Sequence, residues 1–281
     1  TNSGGGPIPI RTTNANLIIK NANITCSNTV NVAIFAESSG DIHIIDSVLN
    51  VTSKLTGTAG AATIYAPGGT ITIENGTYPL DKASDSLIYT GGNEGVIVNG
   101  GTFTLGNVGT GRNGSPWIFN ASSQNTKNIL VNGGTFNADI IHQYYPFEVM
   151  APKELALVQG EDGIWHFVPA VAYVNEQEWS SAWYTNEVGY ATLEEAIAAV
   201  EGIRTKNGQT SAEEFITLLA DAVVTGNVDT KGITIEQNGF AIKLAAGATL
   251  TAPEGLNVTT DVANRKVVYE NGVYKRAVIT Y

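Results

Sequence analysis

The chain contains one cysteine, Cys26, and three histidines, His43, His142 and His166. A lone thiol excludes an intrachain disulfide and a cysteine-rich zinc module. So few imidazoles leave little material for metal sites or histidine-based catalysis, and no metal or cofactor is expected. Charge is also scarce, at 15% of 281 residues, and basic residues are the scarcer kind, giving a formal net charge of −11. That balance argues against a nucleic-acid partner, whose phosphates demand a basic surface. No apolar run reaches the ~18 residues that would span a bilayer. No signal peptide is visible, and Thr1-Asn2-Ser3-Gly4-Gly5-Gly6 reads as a processed start.

Glycine is abundant, at 31 residues, and the hydrophobic fraction of 43% is ample for packed cores. With plentiful Thr, Asn and Val, this composition favours strands and turns over helices. The first half repeats itself. Ile129-Leu130-Val131-Asn132-Gly133-Gly134-Thr135-Phe136 has copies ending at Phe103 and Tyr78, and diverged copies ending at Leu49 and Ile24. Such a period is the mark of a solenoid.

Two columns run through the copies. Leu17, Ile42, Ile71, Val96 and Ile129 stand at one position, and Ile19, Ile44, Ile73, Val98 and Val131 stand two residues on. That is the period of a strand with one face buried, and the varied residue between them (Ile18, His43, Thr72, Ile97, Leu130) points outward. A Gly- or Asn-containing bend follows, then a third inward group that holds Cys26, Val51, Leu80, Leu105 and Ala138. Cys26 is therefore expected to be a buried, inert thiol. The intervals carry a second strand at Val32–Phe35, Ala62–Tyr65, Ser86–Tyr89 and 116–119. Stacked about 4.8 Å apart, such strands place like residues over like. The expected fold is all-β, a right-handed parallel β-helix followed by a smaller β-rich module with a short capping helix.

Three segments are expected: the β-helix over 1–147, a closing hairpin and linker over 148–174, and a second β-rich module over 175–281. Asp162-Gly163 and Asn271-Gly272 are hairpin turns. Thr192-Leu193-Glu194-Glu195 is a capping box, and Leu193, Ala196, Ile197 and Val200 line one face of the helix it opens. Strands are expected at 215–219, 232–236, 240–244 and 249–251, although Ser211-Ala212-Glu213-Glu214 offers a helix as the alternative for the first.

The Asn-Gly-Gly-Thr-Phe copies, the hairpins, and the pair Gly189–Ile197 with Ile216–Asp221 resemble secreted or wall-attached repeat proteins of gut-type bacteria. Those proteins are similar in fold to pectate lyases. The resemblance implies a right-handed parallel β-helix and a secreted or cell-surface location. Its motifs are structural and imply no catalytic activity.

An enzyme on this fold, a polysaccharide lyase or glycoside hydrolase, would need paired carboxylates, or calcium-binding acids beside an arginine base. The acids before residue 148 are Glu37, Asp41, Asp46, Glu74, Asp81, Asp85, Glu94 and Asp139, and the arginines are Arg11 and Arg112. Asp46 and Glu74 fall close together on successive copies, but a turn aspartate and a surface glutamate are the better explanation. No lyase or polygalacturonase signature is present. The acid-rich stretch 148–201 reads as a solvated face, and Trp165, Trp179 and Trp183 with Tyr173 and Tyr184 as core packing.

The sharper feature is a set of aromatics. Phe35, Tyr65, Tyr89 and Phe119 each follow an isoleucine at the same strand position. If the isoleucines point inward, the aromatics form one outward column able to stack sugars or mark a partner surface. The expected role is an extracellular surface scaffold, adhesin-like, binding a polysaccharide, a host surface glycan or a host protein. A carbohydrate-active enzyme is the alternative, and a structural spacer in a repeat array is the third.

Overall fold

The computed structural model describes residues 8–26, 32–51, 62–80, 86–90, 95–106, 117–121, 129–141, 149–179, 183–207 and 215–279. It shows an all-β protein with one helix and largely parallel sheets. Two compact units divide it, Thr1–Ala151 with Val158–Phe167, and Pro152–Leu157 with Val168–Tyr281.

In the first unit, strands come in threes. The first round is β1 (Ile10–Thr13), β2 (Leu17–Lys20) and β3 (Asn23–Cys26), and the second is β4 (Ile34–Glu37), β5 (Ile42–Ile45) and β6 (Ser47–Val51). The third is β7 (Ala62–Ala66), β8 (Ile71–Ile73) and β9 (Gly76–Leu80), and the fourth β10 (Ser86–Thr90), β11 (Val96–Val98) and β12 (Thr102–Leu105). The last is β13 (Trp117–Ala121), β14 (Ile129–Val131) and β15 (Thr135–Phe136), after which β16 (Val149–Met150) extends the middle sheet. Each strand pairs in parallel with its counterpart one round earlier. The chain thus visits three sheets in rotation, and β1 is a strand that the repeats did not announce.

The inward columns are as the repeats require. Ile42, Ile71, Val96 and Ile129 are fully buried, as are Ile73, Val98 and Val131, and each pairs in register with its counterpart. Cys26 is buried, and burial pushes its thiol pKa up.

The bends explain the Gly-Gly-Thr-Phe signature. The column after the bend starts with Ile24 and Leu49 and then becomes Tyr78, Phe103 and Phe136. The aromatic rings stack, Tyr78 on Phe103 at 4.9 Å and Phe103 on Phe136 at 5.3 Å, with their planes nearly parallel. Two residues upstream the chain has Ala22 and Ser47 in the aliphatic rounds but Gly76, Gly101 and Gly134 in the aromatic ones. A Cβ on Gly101 would lie 3.2 Å from the Tyr78 ring and 3.3 Å from the Phe103 ring, at a φ of +114° that side chains rarely adopt. Ring and glycine are therefore one device: the flat ring occupies the volume that a Cβ would need. Where leucine replaces the ring, Ser47 fits, with its hydroxyl donating to the Ile45 carbonyl.

Among the described residues of the second unit no such stack is seen. Its strands are β17 (Leu155–Gln159, shared with the first unit), β18 (Trp165–Pro169, likewise shared), β19 (Ala172–Trp179) and β20 (Trp183–Tyr190), followed by α1 (Leu193–Asn207). The Asp162-Gly163 turn between β17 and β18 closes on a Gly163 to Gly160 backbone bond, with Gly163 at φ +79°. The capping box is present: Glu195 N–H donates to Thr192 Oγ1 at 3.1 Å and Thr192 N–H to Glu195 Oε2 at 3.2 Å. Leu193, Ala196, Ile197 and Val200 are buried on the face expected of them.

Three-residue strands follow: β21 (Phe215–Leu218, four residues), β22 (Ala222–Val224), β23 (Asn227–Asp229), β24 (Thr234–Glu236), β25 (Ile242–Leu244), β26 (Thr249–Thr251) and β27 (Val258–Thr259, two residues). They too pair in parallel one round apart, β21 with β24, β22 with β25, β25 with β27, and β23 with β26. Four strands stand close to where the sequence placed them; β22, β23 and β27 were not foreseen. The hairpin of β28 (Arg265–Glu270) and β29 (Val273–Val278) ends the unit, with Asn271 and Gly272 both at positive φ. Its core is aliphatic, built on Ile216, Leu218, Val224, Ile242, Leu244 and Leu250, with Tyr274 at its margin.

Candidate ligand-binding face

The sheet formed by β1, β4, β7, β10 and β13 carries the aromatic residues. Its inward positions include Ile34, Ile64 and Ile88, all fully buried. Alternation then turns Phe35, Tyr65 and Tyr89 outward, in register with one another. They are partly exposed, and their rings touch, Phe35 to Tyr65 at 5.3 Å and Tyr65 to Tyr89 at 5.1 Å. Burial pushes the Tyr65 hydroxyl pKa up, with Tyr89 adding to the effect.

Phe119 does not join them. Its register partner is Ile88, whereas Tyr89 faces Asn120. A one-residue offset in β13 relative to the Ile-aromatic pairs places Phe119 in the inward column beside Ile88, where it is fully buried, and Ile118 is fully buried as well. The reason is packing. Phe119 meets Phe103 and Phe136 edge-on at 5.5 and 5.9 Å, filling the interior beside the aromatic stack. The outward position is taken by Asn120.

At the other end the column gains a residue that the repeats did not point to. Arg11 pairs in register with Phe35, and its guanidinium lies 5.8 Å from the Phe35 ring centre. Arg11 also donates to Glu37 Oε2 at 2.7 Å, and Thr13 donates to the same oxygen at 2.8 Å. The Arg11 bond, then that of Thr13, holds the Glu37 carboxyl below its ordinary pKa. The outward ladder is therefore Arg11, Phe35, Tyr65, Tyr89 and Asn120. A signal was available, since Ile10 precedes Arg11 as Ile34 precedes Phe35.

The carboxylates that might have served catalysis are otherwise engaged. Asp46 accepts from Asn75 Nδ2 at 3.2 Å. Glu74 accepts from Asn99 Nδ2 at 2.9 Å and lies 3.0 Å from His43 Nε2, and these bonds, Asn99 first, hold its pKa down. Asn132 donates in turn to Asn99 at 2.8 Å, continuing an amide ladder along the bends. Asp81, Asp85, Glu94, Arg112 and His142 lie outside the described residues, as do the side chains of Trp179, Trp183 and Tyr184. Among the described residues no group of three or more His, Cys, Asp or Glu is placed to hold a metal ion, and no helix is long and apolar enough to cross a membrane.

Comparison of the chain with protein-family models, with curated proteins and with solved structures finds no match.

Proposed function

We propose that this is an extracellular bacterial surface protein, an adhesin-like scaffold built on a pectate-lyase-like right-handed parallel β-helix, which binds a glycan or host ligand through its outward face. The β-helix reading is supported by the rotation of the chain through three sheets with every repeat strand paired in parallel. Right-handedness follows from the strong bias of parallel crossover connections toward that hand. The observation that carries the binding reading is the run of Phe35, Tyr65 and Tyr89, partly exposed and in mutual contact on one outward face. Three aligned rings on a surface cost solvation and serve no inward packing, so a ligand that covers them gains what the surface forgoes.

The test is a panel of polysaccharides, host glycans and host proteins, scored for binding and for depolymerisation. The double variant Tyr65→Ala/Tyr89→Ala should lose the ligand that the wild-type chain retains. Unchanged binding in a folded double variant would sink the proposal, and depolymerisation would move the reading to a carbohydrate-active enzyme.

A further inference from the structure

Resting on the binding reading above, we propose that the outward ladder takes a neutral polysaccharide, extended across the strands with one sugar ring per strand. In this arrangement, the Arg11–Glu37 pair grips vicinal hydroxyls at one end.

Three observations lead there. The first is spacing. The rings repeat at 5.3 and 5.1 Å, set by the ~4.8 Å separation of paired strands. That step is close to the advance of one hexopyranose along an extended β-linked chain. A ligand with another repeat would fall out of phase within a few units, whereas an extended glycan stays in phase. The second is the shape of the surface. A column perpendicular to the strands offers a line of apolar ring edges and faces, with the Tyr65 and Tyr89 hydroxyls at their tips. Pyranose rings present apolar C–H faces rimmed by hydroxyls, which match both parts.

The third is the end of the column. Arg11 is 44% exposed and Glu37 is 35% exposed, and they are locked to each other at 2.7 Å. A locked pair offers a donor and an acceptor side by side, which two adjacent hydroxyls satisfy together. It does not offer a spare positive charge. An acidic sugar would bring its carboxylate against Glu37 and against a chain of net charge −11. At the far end Asn120, in register with Tyr89, supplies an amide that suits hydroxyls in the same way.

The experiment measures affinity for β-1,4-linked gluco- and manno-oligosaccharides of one to six sugars, with oligogalacturonates of equal length beside them. Affinity for a neutral series should climb to about four sugars and then level off, with oligogalacturonates weaker at every length. Arg11→Gln, a surface change, should weaken the longer oligosaccharides about threefold to tenfold. Affinity independent of length, a preference for oligogalacturonates, or no binding of either neutral series would overturn the inference. If the panel yields a protein ligand that Tyr65→Ala/Tyr89→Ala abolishes, only this inference falls. If that double variant abolishes nothing, the binding reading falls with it.

Discussion

Both units pair short parallel strands with their counterparts one round of chain away, at two scales. Rounds in the first unit are 25 to 33 residues long, judged by the residues that bond from one bend to the next. Those in the second are shorter, with bonds between successive rounds spanning 20 to 22 residues. A longer round encloses a wider interior, which must still be filled to the density of an organic solid. The first unit fills it with Ile and Val columns and, in its later rounds, with Tyr78, Phe103, Phe119 and Phe136, and the second with Val, Ile and Leu side chains and one face of α1. The comparison teaches that the aromatics belong to two separate tasks. Those of the inward stack, Tyr78, Phe103 and Phe136 with Phe119, pack the interior of the later rounds. Phe35, Tyr65 and Tyr89 face outward from their sheet and stay partly exposed.

The sharpest way to test this difference is to remove one filler from each interior. Phe103→Ala should cost about 3–5 kcal/mol, since Tyr78, Phe119 and Phe136 all lean on its ring and cannot collapse into the space. Leu244→Ala in the second unit should cost about 2–4 kcal/mol, because a narrow aliphatic interior relaxes more readily. Denaturant titration of each variant measures both. A Phe103→Ala cost below that of Leu244→Ala would break the account of why the rings are there.

The coupling of ring and glycine is tested next. Gly101→Ala combines an unfavourable φ with contact against two rings, and should cost about 2–3 kcal/mol. Gly247→Ala has a positive φ too, +83°, but nothing within 4 Å of its Cβ, and should cost only about 1 kcal/mol. Adding Phe103→Leu to Gly101→Ala should give a coupling of at least about 0.5 kcal/mol in the stabilising direction, as the Ser47–Leu49 combination implies. Strict additivity would show that strain alone makes glycine necessary.

What the sequence made legible follows the same division. Columns such as Ile73, Val98 and Val131 were readable because each round restates them with a period of two. The bends were readable because Asn21, Asp46, Gly76, Gly101 and Gly134 are residue types that accept the positive φ they adopt. The outward face was half readable. Phe35, Tyr65 and Tyr89 align, but Phe119 imitates their Ile-aromatic pattern while obeying the interior. Nothing local fixes the register of β13, because its partner in β10 lies across residues 91–116 and only the neighbouring rings decide which face is inward. In the second unit, β22, β23 and β27 are two or three residues long, too short to show alternation. They are strands because a neighbour one round away pairs with them, and the sequence does not display that neighbour.

A smaller effect separates the units again. The helix of the second unit depends on a local device, the reciprocal Thr192–Glu195 bonds. Thr192→Ala should cost about 1 kcal/mol and lower the helical signal in far-ultraviolet circular dichroism, while the Phe103 stack is untouched. A loss of stability without any helical change would place the role of Thr192 elsewhere.

The smallest expected effect is in acid. Each unit ties a partly exposed carboxylate to the following round, by different chemistry. Glu74 is held by the Asn99 amide and by His43. Asp221 is held by the Lys243 ammonium at 2.8 Å and by the Ala241 N–H at 2.8 Å. Both have pKa values lowered in the folded state, Glu74 chiefly by Asn99 and Asp221 chiefly by Lys243. The sign is fixed by linkage. A carboxylate whose folded pKa lies below its unfolded one stabilises the fold above the unfolded value, and that contribution fades as pH falls through the folded one. Both contributions should be whole at neutral pH and disappear below the ordinary carboxylate range. Glu74→Gln and Asp221→Asn should therefore each flatten a small part of the acid limb of stability against pH. Salt separates them, because an exposed ion pair is screened more than a bond to a neutral amide. Raising ionic strength should shrink the Asp221→Asn difference and leave most of the Glu74→Gln difference. Equal sensitivity to salt would mean that Glu74 draws its stabilisation from charge on His43 rather than from the Asn99 ladder.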